Sequence, residues 1–267
     1  MADVRVIGVD GVRERWVAAT LTLDPDGGSA PAVAWTVGPA AEVLAPVAEP
    51  DVVAAGVDMP VGLVERGLRS CEAAARERLG RGASSIFTTA PVAAFRVART
   101  RLRAHGGLDL ASRAEADAAS RASGGGGVST QSWMIAAKVL EVEDAVRALG
   151  PAGERVVEVH PETSYAVMAR HFGLGPVPSK LSAPGVALRV RLLERTLPGL
   201  DVLTALAEVP VGTSARERVP VDDALDALAG ACSALRHAYG QAQVLGAGTD
   251  AVWSDGAPAP GRAVIVV

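Results

Sequence analysis

Over the first sixty residues, apolar positions follow one another in short runs of the kind that strands make. Val4–Val9 is β-branched and closes at Asp10-Gly11, and Trp16–Leu23 follows it. After the turn signal Asp24-Pro25-Asp26-Gly27-Gly28, Val33–Val37 completes a predicted three-stranded meander. Residues 39–48 suit a short helix. Val52–Val57 is almost wholly apolar, the pattern of a strand buried on both faces, and it stops at Asp58-Met59-Pro60. Three strands, a helix and a buried strand predict a mixed α/β sheet.

From about 65 to 150 the pattern turns helical, broken at Gly80–Gly82, Gly106-Gly107 and Gly124–Gly127, with Gln131–Leu149 the clearest helix. Arg155–Val159 reads as a further buried strand and runs into His160-Pro161-Glu162. Helices are expected at roughly 162–172, 184–197 and 221–238, and two short β-like runs, 249–253 and 263–267, close the chain. Neither an internal repeat nor a dividing linker is visible. The expectation is one domain over 1–267 with a helical, arginine-rich insertion at about 65–150.

Composition narrows the class. The 267 residues are 49% hydrophobic, with 26 basic against 30 acidic side chains and a net charge of −4. Such a balance excludes a broadly basic, non-specific nucleic-acid coat. Cys71 and Cys232 stand apart from any second Cys or His at metal-ligand spacing, so neither a disulfide framework nor a zinc site is expected. No run of about 18 apolar residues occurs and the start reads as a strand, so a cytoplasmic protein without membrane insertion is expected.

The charge is unevenly spread. Between Arg66 and Arg103 nine arginines meet two acids, a local +7, which leaves −11 for the remainder. A solvated helix face paired with glutamates accounts for such a run equally well as a phosphate-binding segment does.

Carboxylates carry the candidate chemistry. Two predicted strands end in Asp10 and Asp58, and parallel neighbours would bring both to the carboxyl edge, where open α/β sheets place their ligands. Each alone reads as a turn residue. Glu158 and His160 share a strand face and Glu162 starts a helix, where it can complement the dipole. A lone His beside Pro is a weak metal-ligand signal. On the helix at 221–238, Ala224, Leu225, Leu228, Ala231, Cys232 and Leu235 form one face, while Asp222, Asp223 and Asp226 share the other side with Ser233 and His237. An N-cap role for Asp222 and a dipole role for one neighbour explain two of these acids, not three.

Acids at strand ends and on a late helix are what two-metal phosphoryl transfer needs, since two Mg²⁺ or Mn²⁺ ions require several carboxylate oxygens. The order of elements resembles the ribonuclease H-like fold, a five-stranded mixed sheet flanked by helices with a helical insertion after strand 4. The run Asp223-Ala224-Leu225-Asp226-Ala227-Leu228-Ala229 is similar to the acidic helix of the Holliday-junction resolvase branch. More specifically, several blocks resemble domain of unknown function 429, a family described as predicted ribonuclease H-like nucleases. They are Gly8-Val9-Asp10-Gly11 with Trp16-Val17, Val57-Asp58-Met59-Pro60-Val61-Gly62-Leu63, Arg76 to Ser84-Ser85-Ile86-Phe87, Ser129-Thr130-Gln131 with Lys138, Glu158 to Glu162, and 222–229. The resemblance implies Asp10, Asp58 and Asp223 or Asp226 as ligands of Mg²⁺ or Mn²⁺, with Glu158 or Glu162 as a further candidate. It departs from the resolvase pattern at Asp58, where a glutamate is more usual.

The middle blocks add groups able to hold a phosphate or nucleotide: Arg76, Ser84, Ser85, Ser129, Thr130, Gln131 and Lys138. No P-loop, Rossmann glycine motif or Gly-x-Ser-x-Gly elbow is present. The leading expectation is a divalent-metal-dependent nuclease or phosphodiesterase acting on a nucleic acid or nucleotide. Two other readings stand beside it: an ATP-dependent phosphotransferase related to the actin-like and sugar-kinase lobes, and a binding module without turnover.

Overall fold

The computed structural model describes residues 3–212, 214 and 217–267, apart from the side chains of residues 81, 82, 84, 247, 249 and 260–262. The chain divides into two compact units, the first comprising 1–58, 151–243 and 266–267 and the second 59–150 and 244–265. The helical stretch after the fourth strand thus belongs with a late segment that sequence reading had left apart from it.

The first unit is built on a sheet of β1 (Val4–Val12), β2 (Arg15–Leu23), β3 (Ala32–Gly38), β4 (Val52–Val57) and β5 (Val156–Glu158), in the order β3-β2-β1-β4-β5. β1 pairs antiparallel with β2 and β2 with β3, while β1–β4 and β4–β5 are parallel. This mixed five-stranded sheet with flanking helices is the α/β arrangement expected of a ribonuclease H-like fold. α1 (Ala40–Leu44) joins β3 to β4 through a short 3-10 turn.

In one respect the strand reading needs correction. β1 does not end at Asp10-Gly11: it runs to Val12, Asp10 lies opposite Val17, and the reversal is the two-residue turn Arg13-Glu14. That turn has no Gly or Asn, and Arg13 itself takes the left-handed conformation at φ 49°, so the usual signal was missing. Asp10 is therefore not a turn residue. Register places it on the sheet face shared by Val6, Gly8, Val12, Val17, Ala19 and Leu21.

Unit two contains α2 (Ser70–Leu79), α3 (Val92–His105), α4 (Leu110–Ala122), α5 (Thr130–Met134), α6 (Ala136–Ala148) and, later in the chain, the paired strands β6 (Val244–Val252) and β7 (Pro258–Val266). The single helix expected over Gln131–Leu149 is two, parted at Ile135. The C-terminal runs are longer than expected, because Gly246 and Gly248 dilute the apolar pattern that a strand would otherwise show. Gly246, at φ 97°, also packs so closely on the Cys71 backbone that a side chain there would collide with it.

Returning to the first unit, α7 (Pro161–His171), α8 (Ala183–Thr196), α9 (Val202–Ala207) and α10 (Val221–Ala238) complete the fold. α7, α8 and α10 match the periodicity reading within a residue or so; α9 carries too few residues to announce itself. Tyr165, Met168, Leu192, Leu193, Leu225 and Leu228 join Val6, Val17 and Leu21 in one core on the Asp10 face of the sheet. From Ala224 to Ala234 every residue of α10 is buried, including Asp226 and Ser233 of the stripe that periodicity sets opposite the apolar face. No helix among the described residues is long and apolar enough to cross a membrane.

Candidate functional site

Three glycines set the approach of α10 to the sheet. A methyl on Gly8 would lie 1.8 Å from the Ala227 carbonyl oxygen and 2.2 Å from the Ala231 nitrogen, and one on Gly56 would lie 2.5 Å from the Gly230 oxygen. The helix backbone thus rests on the backbones of β1 and β4. Asp10 and Asp58 follow Gly8 and Gly56 by two residues, about 6.6 Å along a strand. One helical turn, about 5.4 Å, separates Ala227 from Asp223. The acids of the strands and of the helix are brought together by this matching of repeats.

Burial and neighbouring charge act on each carboxylate. Asp10 is 7% exposed and accepts a 2.6 Å hydrogen bond from the Gly11 N–H. Burial, followed by the charges of Asp58, Asp226 and Asp223, holds its pKa well above the ordinary carboxylate range. Asp58, whose N–H donates to the Val9 carbonyl, is raised likewise by desolvation and by Asp226, with Lys180 pulling the other way. Asp226 is 3% exposed, and desolvation outweighs its ion pair to bring it to about 6. Its Oδ1 has no hydrogen-bond partner.

Sequence reasoning missed the cation in this cluster. Lys180, in the loop between α7 and α8, places Nζ 2.8 Å from Asp226 Oδ2 and 3.4 Å from Asp222 Oδ2. Although desolvation opposes it, the charges of Asp226, Asp10 and Asp222 hold the ammonium above its ordinary pKa.

The loop is itself anchored by Arg189, which is fully buried. Its guanidinium donates to both oxygens of Glu162 at 2.7 and 2.8 Å, to the Pro178 carbonyl at 2.9 Å and to that of Gly185 at 3.1 Å. It also stacks over Tyr165, whose hydroxyl donates to the Leu225 carbonyl at 2.6 Å. Glu162 therefore closes a staple beneath Lys180 in addition to lying in the first turn of α7.

The remaining expected residues fall elsewhere. Glu158 pairs with Val57, so its side chain leaves the sheet on the face opposite Gly8 and Gly56, although its charge still reaches Asp58. His160 caps α7, its Nδ1 lying 3.3 Å from the Thr163 nitrogen. Asp222 is not an N-cap: α10 is preceded by Pro220, and Asp222 and Asp223 both lie in its first turn, where they favour the positive end of the dipole. Asp226, a turn later, has no such explanation.

Arg76, Ser85, Gln131 and Lys138 belong to the second unit, and the Ser84 side chain lies outside the described residues. Arg76 donates to the Ile86 carbonyl and the Thr88 hydroxyl, Ser85 ends a 3-10 turn, Gln131 is exposed in α5 and Lys138 lies in α6. Four of the nine arginines in the basic segment are held in ion pairs: Arg69 with Glu72, Arg96 with Glu65, Arg99 with Glu143 and Asp144, Arg101 with Glu115. Most of these acids lie outside 66–103, so the local charge sum overstated the free positive charge.

In kind, the donors suit a hard divalent cation: clustered carboxylates, one of them with a buried oxygen left bare. In number they are less complete. Among the described residues no group of three or more His, Cys, Asp or Glu is gathered as a ready ligand shell. A cavity of about 350 Å³ lies at the other end of α10, between Met168, Phe172, Arg195, Cys232 and Arg236, and includes none of the acids. Charge, not volume, marks the candidate site.

The family described as "Protein of unknown function (DUF429)" matches residues 8–251. The chain belongs to the DUF429 family. The match covers β1 from Gly8 onwards, β4 and α10, and includes every aspartate of the cluster. Neither curated proteins nor solved structures gave a match.

Proposed function

We propose that this DUF429 protein is a divalent-metal-dependent phosphodiesterase, acting as a nuclease on a nucleic acid or on a nucleotide. The observation that supports this reading best is the meeting of Asp10 on β1, Asp58 just after β4 and Asp226 on α10, with Asp10 and Asp226 buried, Asp58 half-buried and Asp226 Oδ1 unpartnered. Like charges are kept so close only where a cation or shared protons relieve them.

Asp10, Asp58 and Asp226 would hold Mg²⁺ or Mn²⁺, with Asp223 beside them. Such an ion would supply an acidified water and offset charge on a phosphoryl oxygen. Lys180 would offer its ammonium to the same substrate phosphate, and the Arg189–Glu162 staple fixes the loop from which it reaches. Cys71 and Cys232, both buried and not in a disulfide, accord with the cytoplasm as the proposed compartment.

The test is hydrolysis of single-stranded, hybrid and branched nucleic acids and of nucleotides with Mn²⁺ present. Cleavage by the wild type is expected, with loss of activity in Asp10→Asn at unchanged circular dichroism. Equal rates for the two proteins would sink the reading.

A further inference from the structure

Resting on that reading, we propose that Lys180 is a built-in second cation of the carboxylate site, so that the chain takes up one divalent ion where two would otherwise bind. Asp226 divides its two oxygens: Oδ2 accepts from Lys180 at 2.8 Å, while Oδ1, buried in a residue only 3% exposed, has no partner. One oxygen is thus committed to an ammonium and the other is left for a different cation.

The charge balance points the same way. Asp10, Asp58, Asp222 and Asp226 all interact with Lys180, and Arg189 is already paired with both oxygens of Glu162. Lys180 removes one unit of that excess, and a single divalent ion removes two more. A second divalent ion would have to share Asp226 with an ammonium already bound to it, and two cations on neighbouring oxygens repel.

A purely structural ion pair gives no reason to leave a buried carboxylate oxygen without a hydrogen bond, since such an oxygen costs free energy. Here the Lys180 side chain is 35% exposed and Oδ1 is bare. Its backbone is nevertheless held. Ser182 donates through its N–H and its hydroxyl to the Ser179 carbonyl at 2.9 and 2.7 Å, and Arg189 grips Pro178. A flexible four-carbon stem on a fixed loop delivers a point charge to a fixed place.

The experiment is Mn²⁺ titration of the full chain by calorimetry, with the bound ions counted by native mass spectrometry and their separation read by electron paramagnetic resonance. Wild type should bind one Mn²⁺ per chain and show no Mn–Mn dipolar coupling. Lys180→Met should bind two with coupling between them, while Lys180→Arg, which keeps the charge, should bind one. Two ions in wild type would overturn the lysine's role and leave metal-dependent catalysis standing, and so would a single ion in Lys180→Met that circular dichroism shows to be folded. No bound Mn²⁺ in wild type would overturn both. The wild-type count decides the matter even if Lys180→Met does not fold.

Discussion

Gly8 and Ala227 touch backbone to backbone: a methyl on the glycine would stand 1.8 Å from the alanine's carbonyl oxygen. No rotamer change relieves such a clash, since both partners are main chain. Gly8→Ala should therefore push α10 off the sheet and cost at least about 3 kcal/mol, beyond ordinary overpacking. Urea melts would show it. Wild-type stability in Gly8→Ala would mean that the helix does not seat on β1 in this way.

Burial of the aspartates, with repulsion added at Asp10 and Asp58, has a pH signature. Asp226 titrates near 6 in the folded chain against an ordinary 3.8, and Asp10 and Asp58 are raised too. Between the unfolded and folded values the native state binds more protons than the unfolded chain, so metal-free stability must rise as pH falls from 7 towards 4. Thermal melts in chelator should show the midpoint climbing on acidification through about 6.

Replacing one repelling charge should mimic that protonation. Asp58→Asn, and Asp10→Asn with its amide oxygen still accepting from Gly11, should each raise the metal-free midpoint at pH 7 by about 3 °C, roughly 1 kcal/mol for a chain of this size. Both should lose the upward shift that Mn²⁺ produces in wild type. A lower midpoint for either variant would show that the carboxylate stabilises the fold and would argue against a site held ready for a cation.

Arg189 and Glu162 form a bidentate pair whose arginine is wholly buried and whose glutamate side chain is 27% exposed. Arg189→Met should cost about 3 kcal/mol, the low end for breaking a buried pair, because water still reaches Glu162. Adding Glu162→Gln should return about 1–2 kcal/mol of that loss as coupling. Additive variants in denaturant titrations would show that the two side chains act independently.

Both cysteines should be silent to thiol reagents in the native state. Cys71 and Cys232 are 0% and 1% exposed, and burial pushes the Cys232 thiol up to about 12. Only the thiolate attacks, so labelling by an aromatic disulfide should wait on opening of the fold. Fast labelling without denaturant would contradict this packing.

Local pattern carried much of the architecture. The apolar run Val52–Val57 and the 3.6-residue repeat of 221–238 reappear as β4 and α10 with the same limits, because a period of two or of 3.6 is set by neighbouring residues alone. Asp10, Asp58 and Asp226 could be singled out for the same reason: acids at strand ends and on a helix stripe stand out against apolar surroundings. The turn at Arg13-Glu14 could not, since nothing in its residue types announces a reversal.

Partnership was decided elsewhere. Lys180 lies 46 positions from Asp226 and Arg189 lies 27 from Glu162, separations at which no periodicity operates. They meet because α7, α8 and α10 pack on one core, and α10 rests directly on the backbones of Gly8 and Gly56. Arg96, Arg99 and Arg101 likewise count towards the local positive charge, yet Glu65, Glu143, Asp144 and Glu115 are folded against them. Chain order distributes charge along a line, whereas Coulomb energy depends on distance in space. Which acid keeps a bare oxygen, and which lysine answers it, is therefore a property of the packed molecule.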